Sequence, residues 1–455
     1  MKSRVNNLPA NWIHLDFKGV IPSAHDMVRW VNELADAGFN GIVFEYEDRL
    51  DWTTLPGTFR SGYSREEWAA IWKQCAERHL EVVPLIQTMG HLEWLLRHDR
   101  YAHFRESGLV TEICPSHPDV QGLLKTWMDE VIALHPGCRH ILLGGDEVGQ
   151  LGSCGTCQER VAQLPGGTIS LYLNHMKPLL RHALDKGVTP LIWADMFWPE
   201  DRQAFAAELP AETILVDWQY GWLGATEVNP GLIKTGRPIW AADAVRSSYD
   251  GTQILSPLRQ RLQNLDIWHK QIAAGALPGV IHTTWSRSSS FRPLYGPFEG
   301  WLPLLHYAAG AGKGAKQPLL KLIDQMDAAI YSRGLLAEDE DVKPLRAALQ
   351  EIGAASTNEF ERRCCHWWDL AVEYAALRNR VFGVLAGRKA LSVAEFHTAR
   401  DAHVLNMQRH GRAETLRCLV AWQDRASTLW RMWGLSDGEE FFESRSGVLF
   451  DLLTR

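Results

Sequence analysis

The 455-residue sequence predicts an α/β fold: a (β/α)8 TIM barrel over residues 1–310, followed by an all-α C-terminal domain over residues 311–455. Three observations carry this. Eight short, β-rich apolar runs recur in the first part of the chain; helix-periodic stretches separate them; after about residue 311 the strand-like runs stop. Alternating strand and helix means parallel sheet, and eight such units close a barrel. A doubly wound open sheet is the alternative, but no GxGxxG follows the first strand.

In chain order the strand candidates are "WIHLDF" (12–17), "GIVFEYE" (41–47), "EVVPLIQT" (81–88), "HILLGG" (140–145), "TPLIWADMF" (189–197), "TILVDWQY" (213–220), "PIWAADAV" (238–245) and "GVIHTTW" (279–285). Between the first three lie "AHDMVRWVNELADAG", which stops at Gly38, and "REEWAAIWKQCAERH", which stops in a basic turn. Both are ordinary helix endings. Beyond residue 311, "KQPLLKLIDQMDAAIYSRGL" and the long stretches after it are helix-periodic throughout. Within them "CCHWWD" (364–369) looks like a metal or aromatic cluster, but its place in a helical pattern predicts buried packing.

Composition narrows the function. The chain is 46% hydrophobic and 22% charged with a formal net charge of −7. Such a chain lacks the basic surface that a nucleic acid or an anionic membrane would need, so neither is expected as a partner. No apolar run reaches the ~18 residues of a membrane helix. The N-terminal "MKSRVNNLPANWIHLDF" has no apolar leader core, and the eight cysteines are scattered, so reduced thiols and a cytoplasmic location are expected. One CxxC occurs, "SCGTC" (153–157). Without two further ligands at matching spacing it reads as an incidental or structural pair, and neither a metal nor a cofactor is expected.

The active site of a barrel lies at the C-terminal ends of its strands. Those ends carry Asp16, Glu45 to Asp48, Gln87 with His91, Asp146-Glu147, Trp193 with Asp195, Asp217-Trp218 with Tyr220, Asp243, and Trp285 with Arg287. Carboxylates among flat rings, without a His cluster, suggest a carbohydrate site. Sugar hydroxyls suit acidic acceptors, and sugar C–H faces suit Trp. Taken singly, Asp48, Asp195 or Asp243 reads as a helix cap or ion-pair partner. Asp146-Glu147 is different. Neighbours in a strand point to opposite faces, so the two share a cavity only if the chain turns there, which Gly144-Gly145 allow. Carboxylates forced together also favour keeping one protonated, as a general acid requires.

The ordered segments "HLDFKG" (14–19), "EYED" (45–48), "QTMGHLE" (87–93) and "DEVGQLG" (146–152) resemble the glycoside hydrolase family 20 β-N-acetylhexosaminidases, in particular the hexosaminidase D-like branch. The resemblance runs from about residue 10 to 310. It implies an exo-acting retaining hydrolase of β-linked N-acetylhexosaminide glycans that works by substrate-assisted catalysis. By the matching motifs, Glu147 is the general acid, and Asp146 orients the substrate's own 2-acetamido group. That group closes on the anomeric carbon to give an oxazolinium intermediate. His91 and Asp16 buttress the acid. Trp193, Trp218 and Trp285 wall the sugar and its acetamido methyl, and Tyr220 donates to the acetamido oxygen.

The sequence also departs from the pattern. Asn11 stands where other members carry an Arg that holds sugar hydroxyls, Leu142 stands where a His is usual, and Ser288 and Ser289 follow Arg287 in place of the expected residues. His14, Glu45 and Arg287 are then the candidates for hydroxyl recognition. The branch is compatible with a homodimer, with the helical C-terminal part as the place for its interface. A non-catalytic sugar-binding barrel is the alternative reading. A metal-dependent hydrolase built on the CxxC is a third.

Overall fold

Eight parallel strands close on themselves in chain order, each hydrogen-bonded to the next and β8 back to β1. They are β1 (Ala10–Asp16), β2 (Gly41–Glu45), β3 (Glu81–Leu85), β4 (His140–Leu142), β5 (Thr189–Trp193), β6 (Ile214–Trp218), β7 (Ile239–Arg246) and β8 (Gly279–Thr284). This computed structural model describes residues 9–18, 21–220, 228–246, 258–275, 277–286, 301–310, 318–332, 339–386 and 412–433. Helices α1 (Ala24–Ala37), α2 (Arg65–Glu77), α3 (Glu93–Leu96), α4 (Val120–Leu134), α5 (Gly155–Gln163), α6 (Thr168–Asp185), α7 (Glu200–Gln203), α8 (Pro230–Ile233), α9 (Leu258–Ala273) and α10 (Leu302–Ala309) accompany the strands. The expected (β/α)8 barrel is the observed fold.

Local chemistry sets the helix ends. Ser23 caps α1 by accepting from the Asp26 amide, and Gly38 ends it in the left-handed region at φ 115°. Ser64 and Glu67 form a reciprocal capping box at the start of α2, a motif whose cap is worth ~1 kcal/mol. Period-two alternation then sorts each strand's side chains. On β1, Ile13 and Leu15 pack outward with the helices while Trp12 turns inward. On β6, Leu215 goes out and Ile214, Val216 and Trp218 go in. Both faces of every strand are covered, which is why the runs read as apolar rather than cleanly alternating. The inward set at the strand ends and the loops that follow them furnish the barrel mouth.

After residue 310 the described residues are helical: α11 (Pro318–Ser332), α12 (Asp339–Ala355), α13 (Glu359–Ala386) and α14 (Arg412–Trp433). The break between α12 and α13 is made by Asn358, whose Oδ1 accepts from the Phe360 amide at 2.8 Å and the Glu361 amide at 3.2 Å. Arg363 on α13 forks onto the buried Asp26 of α1 at 2.8 and 3.2 Å. Cys364, Cys365, Trp367 and Trp368 are buried in the same apolar core as the barrel helices, so "CCHWWD" is packing.

Candidate active site

The strand β4 stops at Leu142, and two left-handed glycines follow, Gly144 at φ 62° and Gly145 at φ 86°. A Cβ on Gly144 would lie 2.0 Å from Gln87 Oε1, so only glycine lets this turn press against the end of β3. Backbone bonds hold the turn in place: the Leu143 amide donates to Leu191 O at 2.9 Å and the Trp193 amide to Gly144 O at 3.1 Å. The adjacent carboxylates then face one cavity. Asp146 is buried and the Glu147 side chain is half exposed, and both reach His91 Nε2, at 3.3 and 3.2 Å. Glu147 and His91 are themselves left-handed, at φ 51° and 53°. Strain of this kind costs about 1–3 kcal/mol per residue and persists where the surroundings over-determine it.

Burial lowers the His91 pKa, but the charge of Asp146 and hydrogen bonds to Asp146 and Glu147 outweigh it and hold the imidazole well above its ordinary value. The sign of the linkage follows. The folded pKa lies above the unfolded value of about 6.5, so the ion pair's stabilisation is full below that pH and fades as pH rises through the folded pKa. The difference in Tm between the wild type and His91→Gln is therefore expected to be largest near pH ~6 and to close toward alkaline pH. A gap that widens with pH in thermal melts would contradict this.

Asp146 Oδ2 meets His91, whereas its Oδ1 is buried and has no hydrogen-bond partner among the described residues. Asp195, read from sequence as a cap or ion-pair residue, instead supports the pair. Its Oδ2 accepts the Glu147 amide at 2.9 Å and its Oδ1 accepts the Trp218 indole N–H at 3.4 Å. Burial first, and the nearby Asp146 charge second, push its carboxyl up to about 7. Only its position at the end of β5 signalled it.

Four residues of the first two motifs form a charged floor. Lys18 Nζ lies 2.5 Å from Glu45 Oε1, 3.2 Å from Glu47 and 3.5 Å from Asp16. Glu45 also accepts from Gln87 Nε2 at 2.8 Å and pairs with His14 Nε2 at 3.1 Å. Burial would raise the Glu45 carboxyl, but Lys18 and His14 overcome it and hold it below the usual carboxylate range. For Glu47, burial wins over Lys18 and its pKa is well above the ordinary value. His14 and Glu45 are thus beneath the cavity rather than on it, because they share the inward register of Trp12 on β1 and Val43 on β2 and point into the barrel's filled interior. The cation they hold, Lys18, reaches the cavity instead. Asp16 accepts the Ser286 amide at 2.6 Å and the Lys18 amide at 2.9 Å. Among the described residues its bonds tie β1 to the end of β8, and they do not extend to His91.

Lys18, His91, Asp146, Glu147, Trp218, Tyr220 and Trp285 line the open mouth of the barrel. Trp218 and Tyr220 lie 5.2 Å apart, and the Trp285 indole N–H donates to Tyr220 Oη at 2.7 Å. Trp193 is fully buried, 5.6 Å behind the Trp285 ring. It backs the wall without facing the mouth, since its strand position directs it into the barrel core. Arg287 lies outside the described residues, as do Ser288 and Ser289.

A model of the glycosyl hydrolase family 20 catalytic domain matches residues 46–239. Hexosaminidase D of Bos taurus is 32% identical over 297 residues, which is 62% of this chain and 86% of that protein. The chain belongs to glycosyl hydrolase family 20. It is a glycoside hydrolase of the hexosaminidase D-like kind. Hexosaminidase D of Homo sapiens is 31% identical over 299 residues, 62% of this chain and 61% of its own. The crystal structure of a β-N-acetylhexosaminidase from Bacteroides fragilis shares the fold, with a TM-score of 0.53 at 15% identity over 72% of this chain and 71% of that one.

The family match spans the ends of β2 to β6 and so includes His91, Asp146, Glu147, Asp195, Trp218 and Tyr220. Asp16, Lys18 and Trp285 come from β1 and β8, outside it. Asn11, at the position where a hydroxyl-binding Arg was expected, is buried and bonded to Gly38 O, Ala309 O and His282. It joins β1, β8 and α10 and takes no place in the mouth. Leu142 is likewise barrel core.

Proposed function

We propose that this family 20 hydrolase is an exo-acting β-N-acetylhexosaminidase that removes terminal β-linked GlcNAc or GalNAc with retention, through an oxazolinium intermediate. The observation that carries the reading is the placement of the two adjacent carboxylates on one imidazole nitrogen. Ligand atoms of His91, Asp146 and Glu147 all lie within 4.8 Å of one another. Two carboxylates that share one imidazole nitrogen sit on the same side of a bound sugar. Neither can then attack the anomeric carbon from opposite the other, as the two-carboxylate retaining scheme requires. The nucleophile is the substrate's own acetamido oxygen.

Glu147, half exposed at the rim, protonates the glycosidic oxygen as it leaves and then takes a proton from the water that opens the oxazoline. The unpartnered Asp146 Oδ1 accepts the acetamido N–H and balances the positive charge that grows as the ring closes. Tyr220 Oη already accepts from the Trp285 indole N–H at 2.7 Å and weakly from Thr283 Oγ1 at 3.5 Å, so its own proton is available to the acetamido oxygen. Trp218 and Trp285 supply flat walls for the sugar and its methyl.

The test is turnover of nitrophenyl β-GlcNAc and β-GalNAc against the matched β-glucoside, together with inhibition by a thiazoline mimic of the oxazoline. Turnover of the acetamido sugars alone is expected, and equal turnover of the glucoside would overturn the mechanism. Binding without turnover would favour a sugar-binding barrel. Tyr220→Phe is expected to lower kcat about 10²-fold with little change in KM, since a donor aimed at a developing charge acts mainly in the transition state. Kinetics on the aryl glycoside check it. The homodimer is tested by light scattering on the full chain.

A further inference from the structure

The CxxC is not alone in three dimensions. Cys154 and Cys157, at the start of α5, meet Cys114 and Glu106 from the long connection between β3 and β4. Cys114 Sγ lies 3.7 Å from Cys154 Sγ and 3.6 Å from Cys157 Sγ, and Glu106 Oε2 lies 3.3 Å from Cys157 Sγ. One ligand atom from each of the four lies within 4.8 Å of the others. We propose that Cys114, Cys154, Cys157 and Glu106 form a structural zinc site that clamps the loop following His91 to the loop following Glu147.

Three features argue for a metal rather than a packed thiol cluster. The first is spacing. Tetrahedral Zn–S bonds of ~2.3 Å set the sulfurs about 3.8 Å apart, which the two Cys114 separations match. Bonded sulfurs would be near 2.05 Å. The second is Glu106. Its carboxylate is fully buried, and among the described residues no Lys, Arg or His pairs with it. Its donors are the Cys154 amide at 2.8 Å and the Cys157 thiol. A buried carboxylate without a cation is costly, and a divalent ion among the thiolates removes that cost. The third is support for thiolates. The Cys157 amide points at Cys154 Sγ at 3.4 Å, Ser116 Oγ lies 3.0 Å from Cys157 Sγ, and Arg160 reaches Ser116 Oγ at 3.2 Å. Both CxxC sulfurs also stand at the positive end of α5. Three sulfurs and one carboxylate have the formal charge of a four-thiolate site and favour a borderline-soft ion over Mg²⁺ or Ca²⁺.

The site's position explains its use. Cys114 is held close to Phe104 by its amide, and the neighbouring Ile113 amide donates to Met89 O, two residues before His91. Cys154 follows Glu147 by seven residues, and between them the Gln150 amide binds both oxygens of Glu112 at 2.9 and 3.0 Å. The metal completes a staple between two loops that otherwise touch through hydrogen bonds. Four ligands with no open position make it a fold-holding site, not a Lewis acid for the glycoside.

The experiment is metal analysis by mass spectrometry on the full chain, produced with added zinc and dialysed without chelator. About one zinc per chain is expected, with Cys114, Cys154 and Cys157 protected from a thiol reagent until a chelator is added. Cobalt exchanged into the protein should give thiolate-to-metal charge-transfer absorption. The double variant Cys114→Ser/Cys157→Ser should lose the metal, whereas Cys418→Ser and Glu147→Gln keep it. If the double variant fails to fold, the wild-type stoichiometry and cobalt spectrum still decide. Folded wild-type protein with less than about 0.1 zinc per chain, a disulfide among these cysteines, or zinc lost on Glu147→Gln would each overturn the proposal.

Discussion

Glu147→Gln lowers kcat on a natural β-GlcNAc disaccharide by about 10²- to 10⁴-fold with KM little changed, the range that positioned acid–base catalysis supplies. The amide is isosteric with the acid and still accepts from His91, but it carries no acidic proton. The backbone of residue 147 is fixed independently, by its left-handed φ of 51° and by the bond from its amide to Asp195 Oδ2 at 2.9 Å. The variant therefore removes the proton without moving the loop. A nitrophenyl glycoside, whose leaving group needs little protonation, should show a smaller deficit in the first step. Steady-state kinetics on both substrates read the difference. Equal deficits in kcat/KM, which reads the first step alone, would remove Glu147 from the role of leaving-group acid.

Asp146→Asn lowers kcat on the aryl glycoside by about 10²- to 10³-fold, the size of effect seen when one preorganised group at a developing charge is lost. The physical reason is direction. His91 Nε2 donates to Oδ2 of Asp146, so the Asn oxygen takes that place and its NH2 stands where Oδ1 was unpartnered. In the proposed mechanism a donor then confronts the acetamido N–H, and the carboxylate charge that offsets the growing oxazolinium is gone. The thiazoline inhibitor should weaken in parallel, measured by its inhibition constant. Full turnover with unchanged inhibition in this variant would show that the acetamido group is held elsewhere.

Much of the site was legible because barrel strands deliver function at their ends. "DEVGQLG" and "QTMGHLE" located the carboxylates and His91, and "TILVDWQY" located Trp218 and Tyr220. What misled the reading was depth. Trp193 and Glu45 end their strands and His14 stands two residues before the end of β1, yet all three point below the mouth, and sequence distance from a strand end does not report depth. Asp195 looked like a helix cap, and its bond to the Glu147 amide depends on two loops 48 residues apart. The CxxC seemed short of ligands for the same reason. Its partners Cys114 and Glu106 lie 40 and 48 residues before Cys154 in no repeating spacing.

The sequence by itself determined the alternation of strand and helix, the closed parallel barrel, the helical C-terminal stretch and the adjacent carboxylates at a glycine turn. These depend on local periodicity and on backbone freedom, which neighbouring residues carry. Only the tertiary structure decided which strand-end residues touch the cavity, that Asp146 has one committed and one unpartnered oxygen, and that four scattered residues meet beside α5. Those depend on contacts between distant loops, set by barrel curvature and close packing that no single segment encodes.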